Sequence, residues 1–360
     1  MTEALRSPLD AAHRAADGRM VTFAGWRLPV RYGSILAEGR AVREAAGMFD
    51  VSHMGRFLVR GPGAFDLLQR LGTNDLARVS PGRAQYMLWC TPQGGVIDDL
   101  IVLWLGADDF LVVVNGSRRE VDWDHLMQHA PEGIDAVDDT FTSAMIAVQG
   151  PAACEIVGRL GADIPPRRFG AVRTVVADVG AVVSRTGYTG EDGVEIVCEA
   201  GAGPRVWEAL RAEGVVPCGL GSRDALRMEM GYPLYGHELD LDIDPREAGV
   251  GFAVDLGKDF VGRDALAARE PARRLVGFVA AQRCIPQPGD RVGEEGVVTS
   301  GGTSVVLDAP IGLAYVPLET SLGPATLHNR GKEIAVTMRE LPLIERGRPA
   351  APAKAGASAT

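Results

Sequence analysis

The chain reads as an α+β protein in which two related units, each an antiparallel sheet with helices on one face, precede a small all-β domain. Three observations predict this. A strand–turn–helix segment occurs twice, at 57–71 and at 145–160. Each copy is followed by further strands and a second amphipathic helix. Beyond Arg273, short strands alternate with Gly- and Pro-rich turns and no helical pattern intervenes. That last pattern predicts a Greek-key β-barrel or sandwich.

In the first copy Phe57-Leu58-Val59-Arg60-Gly61-Pro62 leads into Ala64, Leu67, Leu68 and Leu71. In the second, Met145-Ile146-Ala147-Val148-Gln149-Gly150-Pro151 leads into Ala153, Ile156, Val157 and Leu160. Spacings of three and four place these apolar residues on one helical face. Pro62 and Pro151 are expected at the first helical position, where a missing N–H is no loss. The second helices are expected from Glu120 to Met127, with Val121, Trp123 and Leu126, and from Pro204 to Leu210, with Val206, Trp207 and Leu210.

Between these segments runs Gly94-Gly95-Val96-Ile97-Asp98-Asp99-Leu100-Ile101-Val102. It opens on a glycine turn and continues apolar through Leu103-Trp104, as a buried strand does. An ionised carboxylate there costs several kcal/mol unless it is paired or hydrogen-bonded. Strand alternation sends the two acids to opposite faces. Ile97, Ile101 and Leu103 then accompany Asp99, and Val96, Leu100, Val102 and Trp104 accompany Asp98. One acid is expected in a poorly hydrated place with a raised pKa; periodicity leaves open which. The strand from Gly193 to Cys198, after the turn from Gly187 to Asp192, is expected to match, so that Glu195 and Asp99 face a shared cleft. Two unrelated strands with one acid each are the competing explanation.

The third domain is expected to use strands at 275–279, 297–299, 311–316 and 333–336, reached through a charged connection at 255–272 with a short helix from Gly262 to Arg269. The Ala- and Pro-rich tail from about Gly347 lacks periodic apolar residues and is expected to be disordered.

A net charge of −10 argues against nucleic-acid binding, which needs a basic face. No apolar run is long enough to span a membrane, and no signal or transit peptide is expected. Cys90, Cys154, Cys198, Cys218 and Cys284 are scattered and odd in number, so buried thiols in a reducing compartment, the cytoplasm, are expected.

His125 and His129 have the spacing of a metal pair, yet no third ligand accompanies them, so a solvated helix face is expected and no metal site. Gly219-Leu220-Gly221-Ser222-Arg223-Asp224 lacks the third glycine of a dinucleotide loop. It is expected to start a helix with Ser222 as N-cap and Asp224 near the positive end; alternatively Arg223 points into a site, where its planar fork binds a carboxylate or polar heterocycle. Phe23 to Trp26 and Phe49 to Gly55 set aromatic and sulfur side chains beside turns, for core packing or for stacking a flat ligand. Asn115 caps a turn or reads an amide edge.

Taken together, these segments resemble the aminomethyltransferase, or T-protein, family of the glycine cleavage system. Phe23 to Trp26, Phe49 to Met54, Gly94 to Val102, Val113 to Asn115, Gly187 to Glu195, Cys218 to Leu226 and Pro233 to Asp240 occur in the family's order, and the resemblance runs from about Ser7 to Pro342. It implies three domains around a central folate-binding hole. In that frame residues 1–50 plus 140–254 form one folate-binding α+β unit, 51–139 the other, 255–272 the connection and 273–346 the barrel. It also implies tetrahydrofolate as one-carbon acceptor, a lipoylated H-protein as donor, and ammonia as a product. Asp99 matches the catalytic acid near folate N10. Glu195 and Arg223 match residues that contact the ligand, and Met54, Tyr86, Asn115, Tyr188 and Tyr235 match wall positions.

Three departures bear on this. Gln287 stands where the family usually has an Arg that pairs with the folate tail, with Arg283 nearby as a substitute. Phe252 stands where a Trp is common, and C-terminal aromatics are missing after Ile344. The alternatives are a folate-dependent demethylase or one-carbon transferase acting on a small methylated substrate, and a noncatalytic folate-binding protein.

Overall fold

The structure, a computed structural model, describes residues 4–345 and the backbone of Arg348–Pro349. A five-stranded antiparallel sheet runs in the order Arg83–Cys90, Val96–Gly106, Asp109–Val114, Gly55–Arg60, Asp135–Asp138. A six-stranded sheet runs Ala171–Val176, Val179–Ser184, Gly193–Glu199, Ser143–Gln149, Gly47–Asp50, Val216–Pro217, antiparallel except for its last pair. Arg273–Ala280, Pro310–Pro317, Gly296–Thr303, Arg291–Val292, Gly323–Asn329 and Lys332–Arg339 close into a barrel. A three-stranded sheet near the N-terminus, Leu5–Arg6, Trp26–Arg31 and Arg19–Phe23, gave no strand signal in the sequence.

Each large sheet has a helix-covered face, as alternation and helical spacing require. Leu67, Leu68 and Leu71 of the Ala64–Leu71 helix and Leu126 of Arg119–His129 pack on Phe57, Val59, Leu100, Val102 and Val112. Ile156 and Val157 of Ala153–Arg159 and Val206, Trp207 and Leu210 of Gly203–Ala212 pack on Ile146, Val148, Val194 and Ile196. The opposite faces meet each other: Ile101, Leu103, Leu111 and Val113 of one sheet share a core with Met145, Ala147, Val182 and Val197 of the other.

Three expectations need correction. Pro62 and Pro151 lie in the turns, one residue ahead of the N-caps Gly63 and Ala152, and not at the first helical position. Gly63 takes the left-handed φ of 91° that closes the first turn, a conformation glycine adopts without strain. The acid-bearing strands are also not counterparts. Aligned on the repeated strands Gly55–Arg60 and Ser143–Gln149, Gly193–Glu199 is matched by Asp109–Val114, and Val96–Gly106 is matched by Val179–Ser184. Finally, Arg348–Pro349, inside the segment expected to be disordered, pairs with Ile344–Glu345 ahead of it as a two-stranded ribbon; the rest of that tail, 347 and 350–360, lies outside the described residues.

The Leu220–Met230 helix joins the sheets to the barrel through buried charge. Arg227 donates from Nη1 to Glu238 Oε2 at 2.8 Å and from Nη2 to Ser300 Oγ at 2.7 Å, while its Nε bonds Asp224 Oδ1 at 2.8 Å. Glu238 Oε1 in turn accepts from Ser300 Oγ at 2.6 Å. On the same helix Glu229 accepts from Arg43 Nη2 at 2.6 Å and from Val306 N at 2.8 Å. Glu238 and Arg227 are essentially inaccessible, so removing one strands the other without solvent. Arg227→Met is expected to lower the unfolding free energy by about 3–5 kcal/mol in urea titration. Adding Glu238→Gln is expected to recover part of that loss, because the stranded charge is gone.

Candidate active site

Asp98 and Asp99 lie in Val96–Gly106, which follows a turn that requires glycine: a Cβ on Gly95 would sit 2.3 Å from the Leu241 carbonyl oxygen. The strand is bulged at its start. Cys90 opposes Val96 and Trp89 opposes Asp98, leaving Ile97 as the extra residue. Ile97 therefore packs in the helix-covered core with Leu100 and Val102 and does not accompany Asp99 as strict alternation predicts. Its carbonyl is taken up by Arg118 Nε at 2.9 Å. From Asp98 onward the alternation holds.

Asp98 is fully buried on the helix side. Its Oδ2 accepts from Asn115 N at 2.8 Å and its Oδ1 from Asn115 Nδ2 at 2.9 Å. Asp99, part-exposed, belongs to the inner face. Its Oδ1 accepts from the same Asn115 Nδ2 at 2.9 Å and its Oδ2 from Tyr86 Oη at 2.9 Å. Tyr86 reaches it diagonally, being paired across the ladder with Ile101 two residues on. Burial, reinforced by the neighbouring Asp99 charge, pushes the Asp98 carboxyl up to about 7. Burial pushes Asp99 up to about 6, with the Tyr86 and Asn115 hydrogen bonds opposing it. Burial and the Asp99 charge hold the Tyr86 phenol well above its ordinary pKa, so it remains a donor. Phe252, 74% exposed, stacks on the Tyr86 ring at 5.9 Å.

The other sheet contributes Glu195, buried on the inner face beside Val197 and Ala147. Its Oε2 accepts from Thr186 Oγ1 at 2.5 Å. Arg223 lies in the Leu220–Met230 helix with its guanidinium 4.9 Å from the Tyr188 ring centroid. Burial lowers the Arg223 pKa, opposed first by the Glu195 charge. Arg223 Nη1 is buried without a hydrogen-bond partner, and so is His53 Nδ1. Burial and the Arg223 charge push His53 down to about 4, so its ring is neutral.

The structure thus joins Asp99, Tyr86 and Asn115 by direct bonds, and Tyr188 to Arg223 by stacking. Tyr188 also feels the Asp99 charge, which links the two groups across the inner faces. Tyr235 stands apart from these bonds: its hydroxyl donates to Val96 O at 2.9 Å and its ring lies 4.6 Å from the Arg118 guanidinium. Tyr235 and Tyr86 border the same core of Leu88, Val96 and Met228. Met54 borders the inter-sheet core.

Other expectations are corrected here. Ser222 is the third residue of its helix and not the cap; Gly219 holds that position, its N–H bonded to Glu38 Oε2 at 2.9 Å. Ser222 Oγ instead bonds Gly219 O at 2.8 Å. His125 is buried against Trp89 and is not part of a solvated face. No cluster of three or more metal-ligating side chains occurs among the described residues. Trp26 stacks on Phe141 at 5.8 Å, a packing role. Gln287 bonds the Ile285 and Pro286 carbonyls at 3.0 and 3.2 Å, and Arg283 lines a separate groove of about 450 Å³ with Leu36, Thr303 and Asp308. Among polar groups the sequence reading passed over are His53, inside a segment it did quote, and Asp122, whose burial on the Arg119–His129 helix no spacing rule reveals.

A carboxyl whose folded pKa is raised adds stability below its unfolded pKa and loses it as pH climbs through the folded value. For Asp99 that window runs from about 4 to about 6. Asp99→Asn is therefore expected to melt higher than the parent chain at about pH 8, with the advantage fading at pH 4 and below, as thermal scans across pH will read.

Comparison with known proteins agrees with this architecture. Residues 9–258 match the family model described as the GCVT N-terminal domain, and residues 273–345 match the glycine cleavage T-protein C-terminal barrel domain. An aminomethyltransferase of Geobacillus thermodenitrificans is 42% identical over 361 residues, covering 95% of this chain and 99% of that protein. One from Symbiobacterium thermophilum is 44% identical over 344 residues, covering 89% and 92%. The crystal structure of glycine cleavage system aminomethyltransferase T from Bartonella henselae superposes with a TM-score of 0.88 at 30% identity, covering 96% of this chain and 99% of that one. No described helix is long and apolar enough to cross a membrane. A two-sheet core with acids on its inner faces, a closed barrel behind it and relatives matched along nearly their whole length lead to one conclusion: the chain belongs to the aminomethyltransferase family, the T-proteins of the glycine cleavage system, and is a transferase.

Proposed function

We propose that the chain transfers the aminomethyl carbon carried on the dihydrolipoyl arm of an H-protein to tetrahydrofolate, in the cytoplasm, giving 5,10-methylenetetrahydrofolate, the free dithiol and ammonia. The observation that carries this reading is the complementary pair on the inner faces: Arg223 has a buried N–H without an acceptor, beside Glu195, whose Oε2 alone is engaged. A pterin presents an acceptor and donors side by side on one amide edge, so these groups fit it. Tyr188, Met54 and Tyr235 supply aromatic and thioether surface for a flat ring. The two sheet units, 51–139 and 1–50 plus 140–254, then each contribute a wall.

Bound folate supplies the nucleophilic nitrogens, so the protein needs no nucleophile of its own. The carbon leaves both sulfur and nitrogen of the donor, and two protons must move, one to the departing amine and one to sulfur. Asp99, with a pKa near 6, is close enough to working pH to take and give a proton, which is worth about 10²- to 10⁴-fold. As a carboxylate it also stabilises positive charge developing on the transferred carbon in a poorly hydrated site. Tyr86 and Asn115 fix its two oxygens in direction. Holding both reactants in register contributes further.

Purified protein mixed with tetrahydrofolate and aminomethyl-loaded, lipoylated H-protein is expected to release ammonia, and Asp99→Asn to lower turnover about 10²-fold or more while folate affinity stays within a few-fold. Folate binding without ammonia release would point to a different methylated donor or to a noncatalytic role. Arg223→Met is expected to weaken folate binding about ten- to a hundredfold by calorimetry, through loss of a charge-assisted hydrogen bond.

A further inference from the structure

Behind Asp99, on the helix side of its strand, lies a second carboxyl that the reaction itself does not require. Asp122, in the first turn of Arg119–His129, is fully buried, and neither of its oxygens has a donor within reach. The side chain within hydrogen-bonding reach is Asp98, itself fully buried. Two facing carboxylates cannot both be ionised in such a place, because like charges at contact in a low dielectric repel strongly. A carboxyl that keeps its proton becomes a donor and satisfies the arrangement.

We propose that Asp122 carries a proton at neutral pH and donates it to Asp98, and that this singly charged pair is the anchor that holds the Asn115 amide against Asp99. The bonds on either side of the pair support it. Asp98 takes both the backbone N–H and the side-chain amide of Asn115, at 2.8 and 2.9 Å. The same amide nitrogen reaches Asp99 Oδ1 at 2.9 Å and Asp99 O at 3.1 Å. Asp122 is thus a positioning residue: it fixes Asp98, which fixes Asn115, which orients the acid in the cleft.

The surroundings of the pair are consistent with one shared proton. Burial, then the Asp98 charge, raises Asp122 well above its ordinary value. Arg118 pulls the other way, but its guanidinium is committed to the Ile97 carbonyl and the Tyr235 ring. Asp99 adds negative charge from the far side of the strand, and the Tyr86 and Tyr235 phenols stay neutral, both held above their usual pKa. His125, the next titratable side chain along the buried side of the helix, is pushed down to about 4 and carries no charge. Among the described residues no cation lies within ion-pair distance of either carboxylate.

This inference rests on the proposed role of Asp99, so its test separates the two. Infrared difference spectra at about pH 8 are expected to show a protonated carboxylic acid band in the parent chain that disappears in Asp122→Asn. Asparagine is nearly isosteric and can still donate to Asp98, so this variant is expected to keep turnover within about threefold. Asp122→Ala, which cannot donate, is expected to lose roughly ten- to a hundredfold in kcat with KM for folate within about twofold, as a misplaced acid would. The Asn115 side-chain amide resonance should move in Asp122→Ala and stay in Asp122→Asn. Absence of the band, its persistence in Asp122→Asn, or full turnover in Asp122→Ala overturns the proposal. If the parent chain does not release ammonia, the functional reading fails, while the band and the amide resonance still decide the pair.

Discussion

One amide group holds the site together. Two consecutive acids in a buried strand have no cation to pair with among the described residues, and they share the Asn115 side chain as a donor. A single neutral donor between two carboxylates leaves both partly desolvated and both raised, one toward 7 and one toward 6. A lysine or arginine in that place would stabilise the fold more and would hold Asp99 ionised, with a pKa too low to exchange protons near neutrality. Under the proposed function, the arrangement gives up stability for a carboxyl able to exchange a proton near neutrality, the trade often seen where function sits.

The rest of the architecture supports that poise. Two sheets turn helix-free faces toward each other and share an apolar core. The Leu220–Met230 helix does two things at once: it carries Arg223 toward Tyr188 and Glu195, and through Arg227 and Glu229 it locks the barrel in place. The buried charges of Arg227 and Glu229 are tolerated there because each is hydrogen-bonded to its partners.

Much of this was legible in the sequence, for physical reasons. Apolar spacing located the helices of both repeats to within a few residues, since burying one face is what a helix of that composition must do. The barrel was legible from short strands and turn residues. Alternation placed Asp99 with Ile101 and Leu103 but failed at Ile97, because a bulge is set by the partner strand's register, which no local pattern encodes. Pairing Asp99 with Glu195 as equivalent positions failed for a similar reason: both acids precede aliphatic runs, yet strand order within a sheet is decided by long-range contacts. Ser222 looked like a helix cap because its residue type suits one, but the helix begins two residues earlier at Leu220 and Gly219 holds the cap position, its N–H taken by Glu38, distant in sequence. Phe252 was expected as a departure from the family pattern, and its exposed ring stacks on Tyr86.

The proposed chemistry depends on where folate lies. A crystal structure of the complex with tetrahydrofolate tests it most directly. The account predicts the pterin against Arg223 and Glu195, with N10 within hydrogen-bonding reach of the Asp99 carboxyl. Folate seated instead in the groove beside Arg283, with Asp99 untouched, would contradict it.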